Sequence, residues 1–233
     1  MISLTEENYL KSIYHLSKAG GQSVTTNELA EVMNTKAASV TDMIKKLSNK
    51  DFISYEKYYG VNITAKGKTV ALSVIRKHRL WETFLVQKLD FSWDEVHEVA
   101  EQLEHIQSKR LIEKLDEFLG FPKVDPHGDP IPDNNGKIKA TQQMALSIAK
   151  VGSESIIVAV KDSDSQLLKY LDKIGAHPGK KVKVVERQEY DGSMEVSIGH
   201  QRYFLSKEVS ENILVNAWLG SLGIRTWDLD VGL

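Results

Sequence analysis

Apolar residues recur at helical spacing through the first half of the chain and at alternating spacing in the last third. Residues 5–18 read as a helix with Tyr9, Leu10, Ile13, Tyr14 and Leu16 inward, ended by Gly20-Gly21. Thr25 and Glu28 have the spacing of a capping box, which opens a short helix from Leu29 to Met33. Asn34-Thr35 is a turn. Lys36 to Lys50 is the next helix, with Val40, Ile44 and Leu47 inward. Residues 52–64 read as two strands around Tyr59-Gly60. A helix from Thr64 or Ala65 to about Leu89 follows, then a second capping box at Ser92 and Glu95, a helix over 93–107 and another over 108–119. The stretch 121–135 holds four of the five prolines and reads as a linker. Beyond it, short apolar runs at 156–160, 182–185, 194–198 and 203–205, with one helix over 164–174, read as a small β-barrel.

Two short helices across a tight turn, followed by a hairpin, have the order of a winged helix-turn-helix. Charge supports that reading. Residues 35–80 carry ten basic and three acidic side chains, while 81–120 carry four basic and ten acidic ones. The first balance suits a polyanion and the second a cation. On the recognition helix, Lys36, Ala38, Ser39, Asp42 and Lys46 would face a major groove. Ala38 suits a thymine methyl and Ser39 a base edge or phosphate. Lys45, Lys46 and Lys50, with Lys57 on the wing, suit phosphates, which position without specifying. A winged helix used for protein contacts is the competing reading.

Composition narrows the chemistry. The chain has no cysteine, which excludes disulfides, thiolate metal sites and thiol catalysis. No apolar run approaches a membrane span, and the first seven residues lack a basic-then-apolar signal, so a cytoplasmic protein is expected. Any metal must be held by nitrogen and oxygen. On a helix through His97, with His97 at zero, Glu101 falls at about 40°, Glu104 at about −20° and His105 at about 80°. His78 and Glu82 form a second one-face pair at i, i+4. A solvated acidic face is the competing reading. It does not account for six donors gathered within 28 residues beside an apolar face of Val96, Val99, Leu103 and Ile106. Neither a His-Glu-x-x-His motif nor a Gly-rich phosphate loop is present, which favours sensing over catalysis.

The order of these features resembles the diphtheria-toxin-repressor family of metal-dependent regulators. It runs from the winged helix to Arg76-Lys77-His78-Arg79-Leu80-x-Glu82, then His97-x3-Glu101-x2-Glu104-His105, then Asp125-Pro126-His127-Gly128-Asp129-Pro130, then the barrel. The resemblance covers nearly the whole chain and implies a mainly α fold with a small β component. A winged helix would span 1–72, a helical metal-binding and dimerisation domain 73–140, and an SH3-like domain with a C-terminal tail 141–233. It implies a primary, activating site of Asn8, Glu101, Glu104 and His105. It implies an ancillary site of His78, Glu82 and His97, joined by an acid of the barrel, Asp162 or Asp164. It also implies a homodimer on palindromic operator DNA, with the dimer surface on the 93–107 and 108–119 helices through Leu111, Ile112, Leu115 and Phe118.

Glu101 stands where manganese-responsive members of the family have Glu and iron-responsive members have Cys. An all-nitrogen-and-oxygen set suits Mn²⁺, with Fe²⁺ as the neighbouring alternative. The expected function is a metal-activated, non-enzymatic repressor of metal-uptake genes. The alternatives are an iron(II)-responsive repressor, a winged-helix regulator of a non-metal ligand, and a metal-dependent hydrolase. Two positions depart from the family pattern. Asn8 replaces an acid or thioether, and Lys11 stands where short manganese-responsive members carry a second glutamate, which favours separate primary and ancillary sites.

Overall fold

The computed structural model describes residues 2–56, 59–139, 142–161 and 164–216. Lys57 and Asp162, and Trp218 and Trp227 of the tail, lie outside the described residues. The chain forms two compact units. Of the described residues, one comprises those up to 91 with 96–125 and 130–139, and the other comprises 92–95, 126–129 and those from 142 to 216.

In the first unit, α1 (Leu4–Leu16) opens on a capping box in which Ser3 and Glu6 satisfy each other's backbone N–H groups. α2 (Thr26–Val32) opens on the expected Thr25–Glu28 box. α3 (Ala37–Asn49) turns Val40, Ile44 and Leu47 inward. β1 (Ile53–Glu56) and β2 (Gly60–Ile63) pair antiparallel, and Val24 bridges to Val61 as a third backbone partner. α4 (Ala65–Leu89) is capped by the Thr64 side chain. Its first turn lies against the hairpin base, and a Cβ on Gly67 would come within 2.0 Å of the Phe52 carbonyl oxygen.

Two apolar clusters lie along α4. Ala71, Leu72 and Ile75 join Leu10, Ile13, Leu29, Ile44 and Leu47 in the winged-helix core. Further on, Leu80 joins Ile112, Leu115 and Ile131. α4 therefore belongs to both clusters as one uninterrupted helix of 25 residues.

Three expectations are corrected here. The helix predicted over 93–107 is only Val96–Leu103 (α5), so Glu104 and His105 sit in the turn that ends it. The Glu104 N–H still reaches the Ala100 carbonyl at 2.9 Å, which keeps Glu104 near its helical position. In α6 (Lys109–Phe118), Ile112 and Leu115 are buried against Leu80, leaving Leu111 and Phe118 as the exposed apolar residues among the four expected at a dimer surface. The proline-rich stretch is packed rather than free. Arg76 donates to the Pro132 carbonyl at 2.6 Å and Arg79 to that of Pro130 at 2.5 Å, while Ile131 enters the second cluster.

In the second unit, β3 (Gln143–Ala145), β4 (Glu154–Val160), β5 (Lys181–Arg187), β6 (Met194–Ile198), β7 (Gln201–Leu205) and β8 (Ile213–Asn216) form one antiparallel sheet in the order β3-β8-β4-β5-β6-β7. Alternation is clearest in β6, where Met194, Val196 and Ile198 are buried. Register shifts within β4 and β5 bend the sheet. α7 (Ser165–Lys173) starts at Asp164, whose carboxylate caps the Gln166 and Leu167 N–H groups. α8 (Lys207–Asn212) leads into β8. The His127 carbonyl accepts from Val160 N–H, and Gly128 lies so close to β4 that a Cβ would be 1.9 Å from the Val158 oxygen. Among the described residues no helix is long and apolar enough to cross a membrane.

Candidate metal centre

The six expected ligands other than Asn8 and Asp162 come together around α4, α5 and the turn after it. Glu104 is fully buried. Its Oε2 lies 2.6 Å from His78 Nδ1, and the other nitrogen of that ring, Nε2, lies 3.0 Å from Glu82 Oε1. His97 bridges the open side, with Nδ1 3.6 Å from Glu82 Oε1 and Nε2 3.6 Å from Glu101 Oε1. The His78 and His97 rings meet edge to face, 4.9 Å apart. His78, His97 and Glu101 each offer a ligand atom within 4.8 Å of the others.

The remaining gap, between Glu101 and Glu104, is spanned by Lys11 of α1. Its ammonium is 2.5 Å from Glu101 Oε1 and 2.7 and 3.0 Å from the two Glu104 oxygens. The contacts close into a ring: Glu82, His78, Glu104, Lys11, Glu101, His97 and back to Glu82. The residues that the family resemblance divides between two sites are neighbours in this ring. His105 lies just outside it. Its Nε2 is 3.8 Å from Glu104 Oε1, while its Nδ1 is held by Glu7 of α1 at 2.6 Å.

The electrostatics follow from burial and pairing. Burial alone would lower the His78 pKa, but hydrogen bonds to Glu104 and Glu82 outweigh it and raise the value to about 9. Burial works to raise the Glu104 pKa, and His78 together with Lys11 brings it below the ordinary carboxylate value. Lys77 is buried nearby. Desolvation lowers its pKa against the attraction of Glu7 and Glu104. The centre is thus a buried carboxylate cluster compensated by cations of the chain.

The donor set fits a divalent metal. Every candidate atom is nitrogen or carboxylate and amide oxygen. Asn8, one helical turn before Lys11, has a buried Oδ1 with no hydrogen-bond partner. An acceptor left in that state costs about 1–3 kcal/mol and suits a cation ligand.

Lys36, at the N-cap of α3, and Ala38, Ser39 and Asp42 on the helix are exposed. Asp42 pairs with Lys45 at 3.4 Å. Lys46 is exposed along its stem, but its ammonium reaches buried Glu6 at 3.2 Å, and Lys50 reaches the same carboxylate at 2.7 Å. Burial would raise the Glu6 pKa, yet these lysines and the Ser3 N–H bring it down to about 2.

Sequence reasoning missed Glu6, Glu7, Lys77 and Gln107, which donates to Glu7 at 3.0 Å. It also missed the contact made by Lys11. The only available signal was the Glu7–Lys11 spacing of i, i+4, which places both on one face of α1.

Three family models match successive parts of the chain. They are the iron dependent repressor N-terminal DNA binding domain over 1–61, the iron dependent repressor metal binding and dimerisation domain over 64–133, and the FeoA domain over 144–217. The iron-dependent repressor IdeR of Mycobacterium tuberculosis is 27% identical over 224 residues, covering 91% of this chain and 96% of its own. The HTH-type transcriptional regulator MntR of Oceanobacillus iheyensis is 29% identical over 144 residues, covering 62% of this chain and 95% of its own. A solved manganese-dependent transcriptional repressor in complex with manganese superposes with a TM-score of 0.82 at 34% identity, covering 91% of this chain and all of the other. The chain belongs to the diphtheria-toxin-repressor family of metal-dependent transcriptional repressors, which are DNA-binding regulators and not enzymes.

Proposed function

We propose that this chain is a cytoplasmic, manganese-responsive repressor of metal-uptake genes that binds palindromic operators as a homodimer. The observation that carries the reading is the ring of carboxylates and imidazoles that joins α1 of the winged helix to α4 and α5. His78, Glu82 and His97 would hold metal on one side of the ring. Glu101, Glu104, His105 and the orphaned Asn8 amide would hold it on the other. The expected barrel ligand, Asp162, lies outside the described residues, and Asp164 is engaged as a helix cap.

A bound divalent cation supplies two positive charges and directional bonds to these donors. The residues of the chain do the rest. Glu7 orients the His105 ring and leaves Nε2 for coordination. Lys11 and Asn8 lie on the same α1 face, so a change in how that face is held moves the helix against which α2 and α3 are packed. Lys36 and Ser39 project from the recognition helix toward DNA, and Lys45 adds phosphate attraction. A dimer doubles this surface and demands a fixed spacing between recognition helices. The module bounds proposed are 1–72, 73–140 and 141–233.

The test is binding to an operator library with Mn²⁺, Fe²⁺, Zn²⁺ and chelator in parallel. Selection of a palindrome with Mn²⁺, at lower concentration than Fe²⁺ requires, supports the reading. Equal binding with chelator would sink metal control, and a preference for Fe²⁺ would reassign the cation.

A further inference from the structure

Lys11 brings a cation into the centre from the chain itself. Its side chain is 14% exposed and its ammonium lies against three carboxylate oxygens at 2.5–3.0 Å. An ammonium has three donors, so those three oxygens saturate it. The Glu101–Glu104 pair, whose two negative charges would otherwise repel each other, is bridged and half-compensated by this single positive charge without metal. The same contacts tie α1 to α5 and to the turn that follows it.

We propose that Lys11 is a tethered competitor for the metal at the Glu101–Glu104 pair, holding α1 in place in the metal-free chain and setting the concentration at which metal takes over. The inference rests on the metal-dependent reading above and deepens it. Glu101 and Glu104 cannot both turn their oxygens to a metal while the ammonium occupies the space between them. Metal binding at this pair therefore requires the lysine to leave, and its flexible four-carbon stem gives it a way to withdraw. A competitor that holds the pair 90–99% of the time weakens apparent metal affinity by about 10- to 100-fold. His78, Glu82 and His97 do not touch the ammonium in the contacts described, so their side of the ring is not subject to this competition.

The experiment uses the full chain, stripped of metal and free of DNA, as wild type, Lys11→Leu and Lys11→Arg. Manganese binding is read from the spin-resonance signal of free Mn²⁺, and melting temperature is read with and without MnCl2. In Lys11→Leu the affinity of the weakest Mn²⁺ site should rise at least about 10-fold, by removal of the competitor. Its metal-free melting temperature should fall below wild type and recover when Mn²⁺ is added. A variant that folds only with Mn²⁺ would likewise support the proposal. Lys11→Arg keeps the cation and should bind Mn²⁺ no tighter than wild type. Unchanged affinity in Lys11→Leu, or a 10-fold gain in Lys11→Arg, would overturn the role of Lys11 while leaving metal control intact. No Mn²⁺ binding by any of the three proteins would overturn both readings.

Discussion

Glu7 and His105, 98 positions apart in sequence, are joined by a 2.6 Å hydrogen bond from the ring Nδ1–H to the carboxylate. Gln107 holds the other Glu7 oxygen. A carboxylate that fixes an imidazole in this way selects its tautomer and presents Nε2 outward. Glu7→Gln should leave the helical circular dichroism unchanged and weaken metal binding by about 10- to 100-fold. Calorimetric titration with Mn²⁺ checks this, and wild-type affinity in the variant would show that Glu7 does not orient a ligand.

Glu6 should govern the acid limb of stability. Its pKa is about 2 in the folded chain against an ordinary 4.5. A depressed carboxylate contributes stability that is fully present above its unfolded pKa and lost as pH falls through the folded value. The loss should therefore develop between about pH 4.5 and 2. Removing the charge in Glu6→Gln should cost about 1.5–3 kcal/mol at neutral pH, the scale of a hydrogen bond to a charged group, and should flatten the acid limb. Urea unfolding midpoints from pH 7 to 2.5 measure both.

Lys36 and Lys46 should separate by assay. Lys36 is exposed at the N-cap of α3 and its side chain makes no cap hydrogen bond, so Lys36→Ala should reduce the slope of log affinity against log salt by about 1 without changing melting. Lys46 also braces Glu6, so Lys46→Ala should lower the melting temperature as well as DNA affinity. Equal melting of the two variants would remove the bracing role of Lys46.

Gly67→Ala should destabilise the winged helix by about 1–3 kcal/mol, as overpacking does. The added Cβ would meet the Phe52 carbonyl at 2.0 Å, and backbone cannot swing aside as a side chain can. Chemical denaturation reads the loss, and wild-type stability would mean that α4 can shift away from the hairpin.

The elements that the sequence made plain are those whose pattern is local. The Thr25–Glu28 box, the inward Val40, Ile44 and Leu47, and the Thr64 cap all depend on residues within one or two turns. The grouping of His78, Glu82, His97, Glu101, Glu104 and His105 was legible for the same reason, because helical spacing put them on shared faces. The end of α5 at Leu103 was not legible, since Glu104 and His105 fit the helical pattern equally well. Strands β3 and β8 were too short to stand out, and each is defined by its partner across the sheet. Glu6 and Glu7 drew no reading from the sequence. Their burial depends on Lys46, Lys50, His105 and Gln107, which arrive from 40 to about 100 residues away. Long-range pairing of charged residues leaves no periodic trace.

α4 has a mechanical consequence. Ile75 sits in the winged-helix core and His78, three residues later, in the metal centre, with no break between them. A rod shared in this way fixes the two ends by residue count. Inserting or deleting one residue between them would turn one end by about 100° and slide it about 1.5 Å relative to the other. His78 would then face away from Glu104 even though every side chain remained. Evolution is free to lengthen the wing or the turn after α5, but the interval from Ile75 to His78 acts as a keyed shaft whose length admits substitution and forbids indels.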